Sequence, residues 1–505
     1  MSKSLESTTT DRNAPLAMDP ATFRTLGHAL IDQLAEAMAH IPDGPVARSE
    51  APSAVRSALG VGGPLPEHGT DPAALLESTT RALFAHSLFN GHPRFFGYIT
   101  APPAPVGVLG DLIAAAVNPN VGAWILAPAA TEIEDEAVRW IGELIGMPAG
   151  TGGILVSGGN MANMLGLYAA RAANAGWDVR KDGVAASGAP RLRVYGSAET
   201  HTWIQKGCDM AGLGTDALRW IPTDAGLRMD VAALRAQIDA DRAAGDRPLM
   251  VVGTAGSVGT GAIDPLPAIA ELCREQKIWF HVDGAYGGFA AASPEAPADL
   301  RALSLADSVA VDPHKWLYAP LEVGCALVRD PEMLRAAFAY HPPYYHFAEQ
   351  VTNYNEFGPQ NSRGFRALKV WLALRQVGAA GYRAMITDDI RLSRVMHEVA
   401  GNHAELETFI QGLSISTFRY VPADLRPRVG EDAVEKHLDA LNRELLDRIQ
   451  KGGEMFVSNA LIRGRYALRA CIVNFHTRRA DVEAVPEIAA RIGREIDKAT
   501  RPVGL

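Results

Sequence analysis

The chain has 505 residues, of which 48% are hydrophobic and 21% charged, and its formal net charge is −9. This length exceeds one ordinary core, so we expect a large domain with one or two smaller ones. The negative charge argues against nucleic acid or an anionic membrane as a partner. The four cysteines are scattered without metal-ligand or redox spacing, which is typical of reduced thiols in a cytoplasmic protein.

The N-terminal part predicts an arm more than a domain. Residues 1–13 are polar and Thr-rich, without the apolar core of a signal peptide. From Asp19, apolar residues at helical spacing predict a helix that covers either its own domain or a partner subunit. The stretch 42–66, rich in Pro, Gly and Ala, predicts a linker. The apolar stretch 106–127 is interrupted by polar residues and a proline, which favours a buried helix followed by a loop over a membrane span.

Strand-like and helical patterns alternate through the middle of the chain. This alternation predicts an open, mainly parallel sheet with helices on both faces. Beyond about residue 388, helical stretches and strands at 414–420 and 467–475 predict a smaller α/β domain. We therefore expect an arm over residues 1–95, a large domain over 96–387 and a small domain over 388–505. The strand-like runs of the large domain centre on Ile154, Val194, Val251, Trp279, Val309 and Ala326.

A glycine-rich turn follows the first of these strands. Residues 157–163 read SGGNMAN and open a helix that we expect to run to about Ala173. The free backbone N–H groups and the positive dipole at such a helix start favour a phosphate group. The glycines after the strand at 249–253 do not form Gly-x-Gly-x-x-Gly, and no suitably placed acid follows them. A nicotinamide dinucleotide site is therefore disfavoured.

Two segments carry the strongest chemical signal. Residues 281–288 read HVDGAYGG and follow a buried strand, so Asp283 points into the crevice where such sheets bind ligands. Residues 312–316 read DPHKW, and Lys315 follows another apolar run. A lysine in apolar surroundings tends to lose its proton, and a neutral amine can form a Schiff base with an aldehyde. Pyridoxal phosphate needs these two groups: a lysine for its aldehyde and a carboxylate for its pyridine nitrogen. Ala285 should face the same side as Asp283, because alternate residues of an extended segment do.

The ordered set of SGGN, HVDGAYGG and DPHKW resembles the group II pyridoxal-phosphate decarboxylases. This family includes the aromatic-L-amino-acid, glutamate and diaminobutyrate decarboxylases, and the likeness covers nearly the whole chain. It implies the type I aminotransferase-like fold, with a mainly parallel, seven-stranded sheet, an N-terminal helical arm and a small C-terminal α/β domain. It also implies a homodimer in which the arm packs over the partner subunit.

The resemblance implies roles for several residues in binding the cofactor. Lys315 and Asp283 hold its aldehyde and its ring nitrogen, and His201 stacks on the ring. Thr254 lies near the ring hydroxyl. Gly159 and Asn160 match the residues that form the phosphate cup, and His314 matches a further contact to the phosphate.

The substrate side is less complete. By default the aromatic cluster at 92–98 (HPRFFGY) is core, but in the family this segment lines the substrate pocket, which implies Phe96 and Tyr98 there together with Trp124. Gly122 stands where an aromatic-specific member carries phenylalanine. The segment 337–346 (AFAYHPPYYH) matches a mobile catalytic loop, and Tyr344 aligns with its tyrosine.

We therefore expect decarboxylation of an L-amino acid, with aromatic substrates favoured, to an amine and carbon dioxide. Decarboxylation of an acidic or basic amino acid, or decarboxylation coupled to oxidative deamination, stays open. A non-catalytic cofactor-binding sensor is disfavoured because no basic DNA-binding segment is present. Metal-dependent hydrolysis is disfavoured because no His-Glu-x-x-His motif or comparable cluster of metal ligands exists.

Overall fold

The computed structural model describes residues 14–340 and 351–505. Its strands are β1 (Gly152–Val156), β2 (Leu192–Ser197), β3 (Leu218–Ile221), β4 (Arg247–Thr254), β5 (Trp279–Asp283), β6 (Ser308–Val311), β7 (Gly324–Val328), β8 (Leu406–Gly412), β9 (Ile415–Tyr420), β10 (Ser458–Ile462) and β11 (Arg465–Cys471). Its α-helices are α1 (Pro20–Ala39), α2 (Pro52–Leu59), α3 (Pro72–His86), α4 (Pro105–Val117), α5 (Pro128–Ile145), α6 (Gly159–Asn174), α7 (Val179–Asp182), α8 (Trp203–Met210), α9 (Val231–Ala243), α10 (Leu266–Gln276), α11 (Pro313–Trp316), α12 (Glu332–Phe338), α13 (Ala367–Asn402), α14 (Asp432–Gly452) and α15 (Arg479–Thr500).

The large sheet has seven strands in the order β1-β7-β6-β5-β4-β2-β3. Its neighbours pair in parallel except at β7, which is antiparallel to both β1 and β6. The predicted mainly parallel, seven-stranded sheet is confirmed. All six predicted strands are present, and the prediction missed β3, a four-residue strand at the sheet edge.

Apolar side chains cover both faces of this sheet. In β1, Leu155 belongs to the hydrophobic cluster on one face, whereas Ile154 and Val156 belong to the cluster on the other. In β4, Val251 and Val252 are divided in the same way. Alternate residues of a strand point to opposite faces, so a continuous apolar run is what a sheet packed on both sides requires.

The C-terminal part forms a second, antiparallel sheet in the order β10-β11-β9-β8 with its own apolar core. The two strands predicted at 414–420 and 467–475 are present as β9 and β11, and the prediction missed β8 and β10. Helix α13 runs across the predicted boundary at residue 388 and is interrupted by non-helical backbone at Gly378. The domain boundaries stay predictions.

The N-terminal arm differs from expectation in two places. Helix α1 begins as predicted, with the Asp19 carboxylate accepting the N–H groups of Ala21 and Thr22 at 2.9 and 3.0 Å. The stretch 42–66 is not only a linker, since it contains α2. Helix α4 was expected to be buried, but in the single chain its two glycines are its only buried residues, and Leu112 is 52% exposed. No helix within 14–340 and 351–505 is both long and apolar enough to cross a membrane.

Candidate active site

A cavity of about 320 Å³ opens at the carboxyl edge of the large sheet. The parallel strands β4 and β5 end there at Thr254 and Asp283, and β1 and β6 end just before Ser157 and Asp312. Carboxyl ends of parallel strands share one edge, which is where open α/β sheets bind ligands. The cavity has a volume typical of small-molecule sites. It is lined by the 157–161 turn, Asn163, Glu199, His201, Thr254, Gly256, Val258, Asp283, Ala285, Tyr286, Asp312, His314 and Lys315.

The Asp283 carboxylate is held by a hydrogen bond on each oxygen. Its Oδ2 accepts the indole N–H of Trp203 at 2.8 Å, and its Oδ1 accepts the backbone N–H of Ala285 at 3.1 Å. Asp283 is 6% exposed. A buried carboxylate with one donor on each oxygen keeps free lone pairs in a fixed direction. It is suited to accept a hydrogen bond from a protonated ring nitrogen of a ligand.

Lys315 lies in the short helix α11, and its surroundings differ from the apolar ones expected. Its Nζ is 2.9 Å from the Asp312 Oδ2, and that carboxylate side chain is only 3% exposed. The amine therefore forms an ion pair in the structure, whereas the sequence predicted apolar surroundings for it. The Asp312 Oδ1 is buried and has no hydrogen-bond partner among the described residues.

The glycine-rich turn brings the start of α6 to the cavity wall. The first N–H groups of an α-helix have no partner within the helix, so those at Gly159 and Asn160 are available to an anion. A Cβ at Gly159 would lie 2.7 Å from the Asp312 Oδ2 and 2.9 Å from the Ala285 Cβ. Glycine is therefore required here by close approach, because no larger residue fits without moving the cavity wall.

Two histidines line the cavity. Burial lowers the pKa of His201, and its Nδ1 accepts the backbone N–H of Trp203 at 3.2 Å. Burial likewise lowers the pKa of His314, whose Nδ1 lies 2.6 Å from the Val323 carbonyl oxygen and therefore donates to it. A neutral imidazole can stack on a ring or share a hydrogen bond without adding charge.

Thr254 closes the cavity beside these histidines. Its Oγ1 lies 3.5 Å from the Thr200 Oγ1, and its backbone N–H donates to the buried Asp264 at 2.8 Å. Burial raises the pKa of Asp264 to about 6. The end of β4 is therefore fixed from behind by side-chain hydrogen bonding.

The residues expected to line a substrate pocket do not line this cavity in the single chain. Phe96 is fully buried in the apolar core of the C-terminal part, and its backbone N–H donates to the Phe456 carbonyl at 2.7 Å. Tyr98 is 59% exposed, and Trp124 is half-buried with its indole N–H donating to Glu132 at 2.8 Å. Tyr344 lies outside the described residues. The substrate-binding roles of Phe96, Tyr98 and Trp124 and the catalytic role of Tyr344 stay predictions.

Gly122 has a local structural reason in this chain. A Cβ there would lie 2.1 Å from the backbone oxygen of Asn361, so a larger residue requires the 361 segment to move. Glycine at position 122 therefore lets the backbone at Asn361 come closer than a phenylalanine at this position would allow.

Sequence reasoning missed three groups that contact or line the site. Trp203 reaches Asp283 from 80 positions away, Asp312 pairs with Lys315, and Glu199 lines the cavity. Asp312 could have been found, because it lies three residues before a lysine on the same short helical turn. A contact between residues far apart in the sequence, such as that of Trp203 with Asp283, leaves no signal in a single sequence.

The residues present are chemically suited to pyridoxal phosphate. One cavity presents an amine for its aldehyde, a buried carboxylate for its ring nitrogen and a glycine-lined helix start for its phosphate. The close approach at Gly159 leaves this helix start uncovered by side chains.

Comparison with known proteins agrees with this chemistry. The profile of the pyridoxal-dependent decarboxylase conserved domain matches residues 63–420. An aromatic-L-amino-acid decarboxylase of Bacillus atrophaeus is 32% identical over 467 residues, which cover 92% of this chain and 93% of the relative. A phenylacetaldehyde synthase of a Rosa hybrid cultivar is 28% identical, and the match covers 90% of this chain and 91% of the synthase. The crystal structure of Oryza sativa TDC with PLP and tryptamine has a TM-score of 0.87 at 27% identity, with 96% of this chain and 100% of that chain covered. The chain therefore belongs to the pyridoxal-dependent decarboxylase family, and its cofactor is pyridoxal 5′-phosphate.

Proposed function

We propose that the protein decarboxylates an aromatic L-amino acid to the corresponding amine and carbon dioxide. The observation that carries the proposal is the meeting of Lys315, Asp283 and the start of α6 at one cavity. The aromatic substrate class is supported by the relatives, which include the Bacillus atrophaeus enzyme and the TDC structure with tryptamine.

The residues divide the work of holding the cofactor. Lys315 would bind its aldehyde carbon, and the N–H groups at Gly159 and Asn160, with His314, would bind its phosphate. His201 and Ala285 would contact its ring, and Thr254 would lie near the ring hydroxyl. Pyridoxal phosphate, when bound, supplies an electron sink for the electrons left behind by carbon dioxide.

Asp283 would keep a proton on the ring nitrogen of the bound cofactor, which would make that sink effective. The buried position of its carboxylate, with one donor on each oxygen, supports this role. Lys315 would give up the cofactor to the substrate amine, and Asp312, 2.9 Å from its Nζ, would pair with the free ammonium group. In this way the buried amine keeps a counter-ion when it is not bonded to the cofactor.

The main test is a substrate panel. Purified protein with pyridoxal phosphate is incubated with tryptophan, tyrosine, phenylalanine, glutamate and 2,4-diaminobutyrate, and carbon dioxide and amine are measured. We expect kcat/KM for the best aromatic substrate to exceed that for glutamate by at least about 100-fold, the scale that a matched pocket achieves. Faster turnover of glutamate or diaminobutyrate would replace the aromatic assignment by one of the alternatives.

Formation of an aldehyde is the second candidate, because a phenylacetaldehyde synthase is among the relatives. After carbon dioxide leaves, the substrate carbon would either be protonated, which gives the amine, or be oxidised by dioxygen, which would be reduced to hydrogen peroxide while hydrolysis releases the aldehyde and ammonia. We assign the proton donor to Tyr344, on the basis of the sequence resemblance alone. In Tyr344→Phe the ring remains and only the hydroxyl is lost. Product analysis under air should show a sharp fall in amine, with aldehyde and peroxide appearing in its place; amine at the unmodified rate would exclude Tyr344 as the donor.

We also propose that the active unit is a homodimer. Helix α1 has no buried residue, and Leu112 and Ile113 of α4 are about half exposed in the single chain. Between α4 and α5, Ile125 is 74% exposed. Large apolar side chains left exposed in one part of a single chain are candidates for a subunit interface. Light scattering should give twice the chain mass, and Ile113→Glu should shift the protein towards monomer, whereas Leu461→Glu, at an exposed position of the small sheet, should not. A cytoplasmic location stays a prediction from the sequence.

A further inference from the structure

Trp203 connects Asp283, at the end of β5, to His201, which lies in the segment between β2 and α8. It is the first residue of α8, and its side chain is only 1% exposed. The indole Nε1–H donates to the Asp283 Oδ2 at 2.8 Å, and the backbone N–H donates to the His201 Nδ1 at 3.2 Å. One residue therefore holds both the carboxylate and the imidazole that line the cavity.

The hydrogen bond to His201 also determines which ring nitrogen carries the proton. Because Nδ1 accepts from the backbone of Trp203, the neutral imidazole must carry its hydrogen on Nε2. The orientation of the ring thus follows from the placement of Trp203.

The indole itself is held on its other sides. Its ring meets His281 edge-on, at 5.8 Å between centroids and an angle of 75°. His281 is fixed in turn by Ser308 and Asn163, each 2.7 Å from one ring nitrogen. Gly207, one turn along α8, lies so close that a Cβ there would be 3.2 Å from the indole. A donor enclosed in this way cannot swing away from Asp283.

We infer that Trp203 is a positioning residue that holds the Asp283 carboxylate in the correct orientation for the ring nitrogen of the cofactor. The inference rests on the proposed role of Asp283. A hydrogen bond from a neutral donor to a buried carboxylate stabilises the negative charge, and this contribution is larger than that of a bond between two neutral groups. Without the donor, Asp283 would still be present but would hold the ring-nitrogen proton less well.

The test compares Trp203→Phe with Trp279→Phe. Trp279 is a matched control because it is buried on β5, the strand that ends in Asp283, and its Nε1–H also donates over 2.8 Å. Its acceptor is the Ser308 hydroxyl, and it does not line the cavity. Each substitution removes an indole and one hydrogen bond of 2.8 Å. Because Ser308 also contacts His281, both variants disturb the surroundings of position 203, but only Trp203→Phe removes the bond to Asp283.

Two quantities are measured in addition to turnover: the dissociation constant of pyridoxal phosphate from the apoprotein, and the pH midpoint of the visible absorbance of the bound cofactor. We expect Trp203→Phe to weaken binding roughly tenfold or more and to move the midpoint, since the charge on the ring nitrogen affects the whole conjugated system. Trp279→Phe should leave both close to wild type. Equal changes in the two variants would overturn the inference. Wild-type protein that binds no pyridoxal phosphate would instead overturn the proposed function.

A measurement on the wild-type side chain covers the case in which Trp203→Phe does not fold. The protein is labelled with ¹⁵N-tryptophan, and the indole N–H signals are compared with those of Asp283→Asn. We expect one indole signal to move upfield when the charged acceptor is lost, and this signal should not be the one that disappears in Trp279→Phe. Indole signals that are all unmoved would show that no tryptophan donates to Asp283.

Discussion

Gly159→Ala tests whether the start of α6 is a cofactor site. An alanine Cβ would lie 2.7 Å from the Asp312 Oδ2 and 2.9 Å from the Ala285 Cβ, well inside the roughly 3.5–4.0 Å of an ordinary contact. Asp312 or Ala285 must move, and both line the cavity. Overpacking of this kind costs about 1–3 kcal/mol. If the substitution destabilises the cofactor-bound protein by this amount relative to the apoprotein, binding of pyridoxal phosphate should weaken by roughly 5- to 150-fold.

The assay is a titration of apoprotein with pyridoxal phosphate, followed by visible absorbance. Gly452→Ala, at the end of α14, is the matched control because a Cβ there meets no atom within 4 Å. The control should bind the cofactor with wild-type affinity. The reasoning is refuted if Gly159→Ala also binds within twofold of wild type, because the turn would then be remote from the cofactor.

Three further predictions concern buried charges. Asp283→Ala should fold normally but lose at least about 100-fold in turnover, measured as carbon dioxide release; near-normal turnover would falsify its role. Arg363→Met leaves the fully buried Glu134 without its ion-pair partner and should lower the free energy of unfolding, measured in urea, by about 3–5 kcal/mol. Arg228→Met, in an exposed ion pair, should lower it by less than about 1 kcal/mol. Similar losses in the two variants would contradict the expected role of burial. Burial raises the pKa of Asp389 to about 8. Because the folded protein then keeps a proton that the unfolded chain releases above about pH 4, its stability should fall as the pH rises from about 4 to about 8. Asp389→Asn should make that decline less steep, and an unchanged slope in urea titrations at several pH values would count against it.

The local parts of the site could be predicted from the sequence. Asp283 follows residues 278–282, which are apolar except for His281, and precedes a glycine-rich turn, so its place at the end of a strand requires only short-range information. The same holds for the turn at Gly159, where a strand, two glycines and a helix follow one another directly. Parallel topology then brings these strand ends to one edge of the sheet.

The parts that were not predicted have three different physical causes. The pairing of the Phe96 backbone with the segment at Phe456 was not predicted, and it buries the Phe96 side chain in the C-terminal core of the single chain. The ion pair of Lys315 was missed because the apolar run before it suggested an apolar environment, while the carboxylate arrives from the turn of α11. Strand β3 was missed because four residues at a sheet edge carry too short a pattern.

Covalent attachment of the cofactor tests the central claim most directly. Purified protein is loaded with pyridoxal phosphate, reduced with borohydride and digested, and the modified peptide is identified by mass spectrometry. We predict a yellow protein that, after reduction, carries one pyridoxyl group on Lys315 in the peptide containing residues 312–316. Modification of a different lysine, or a loaded protein that borohydride leaves unmodified, would contradict the account.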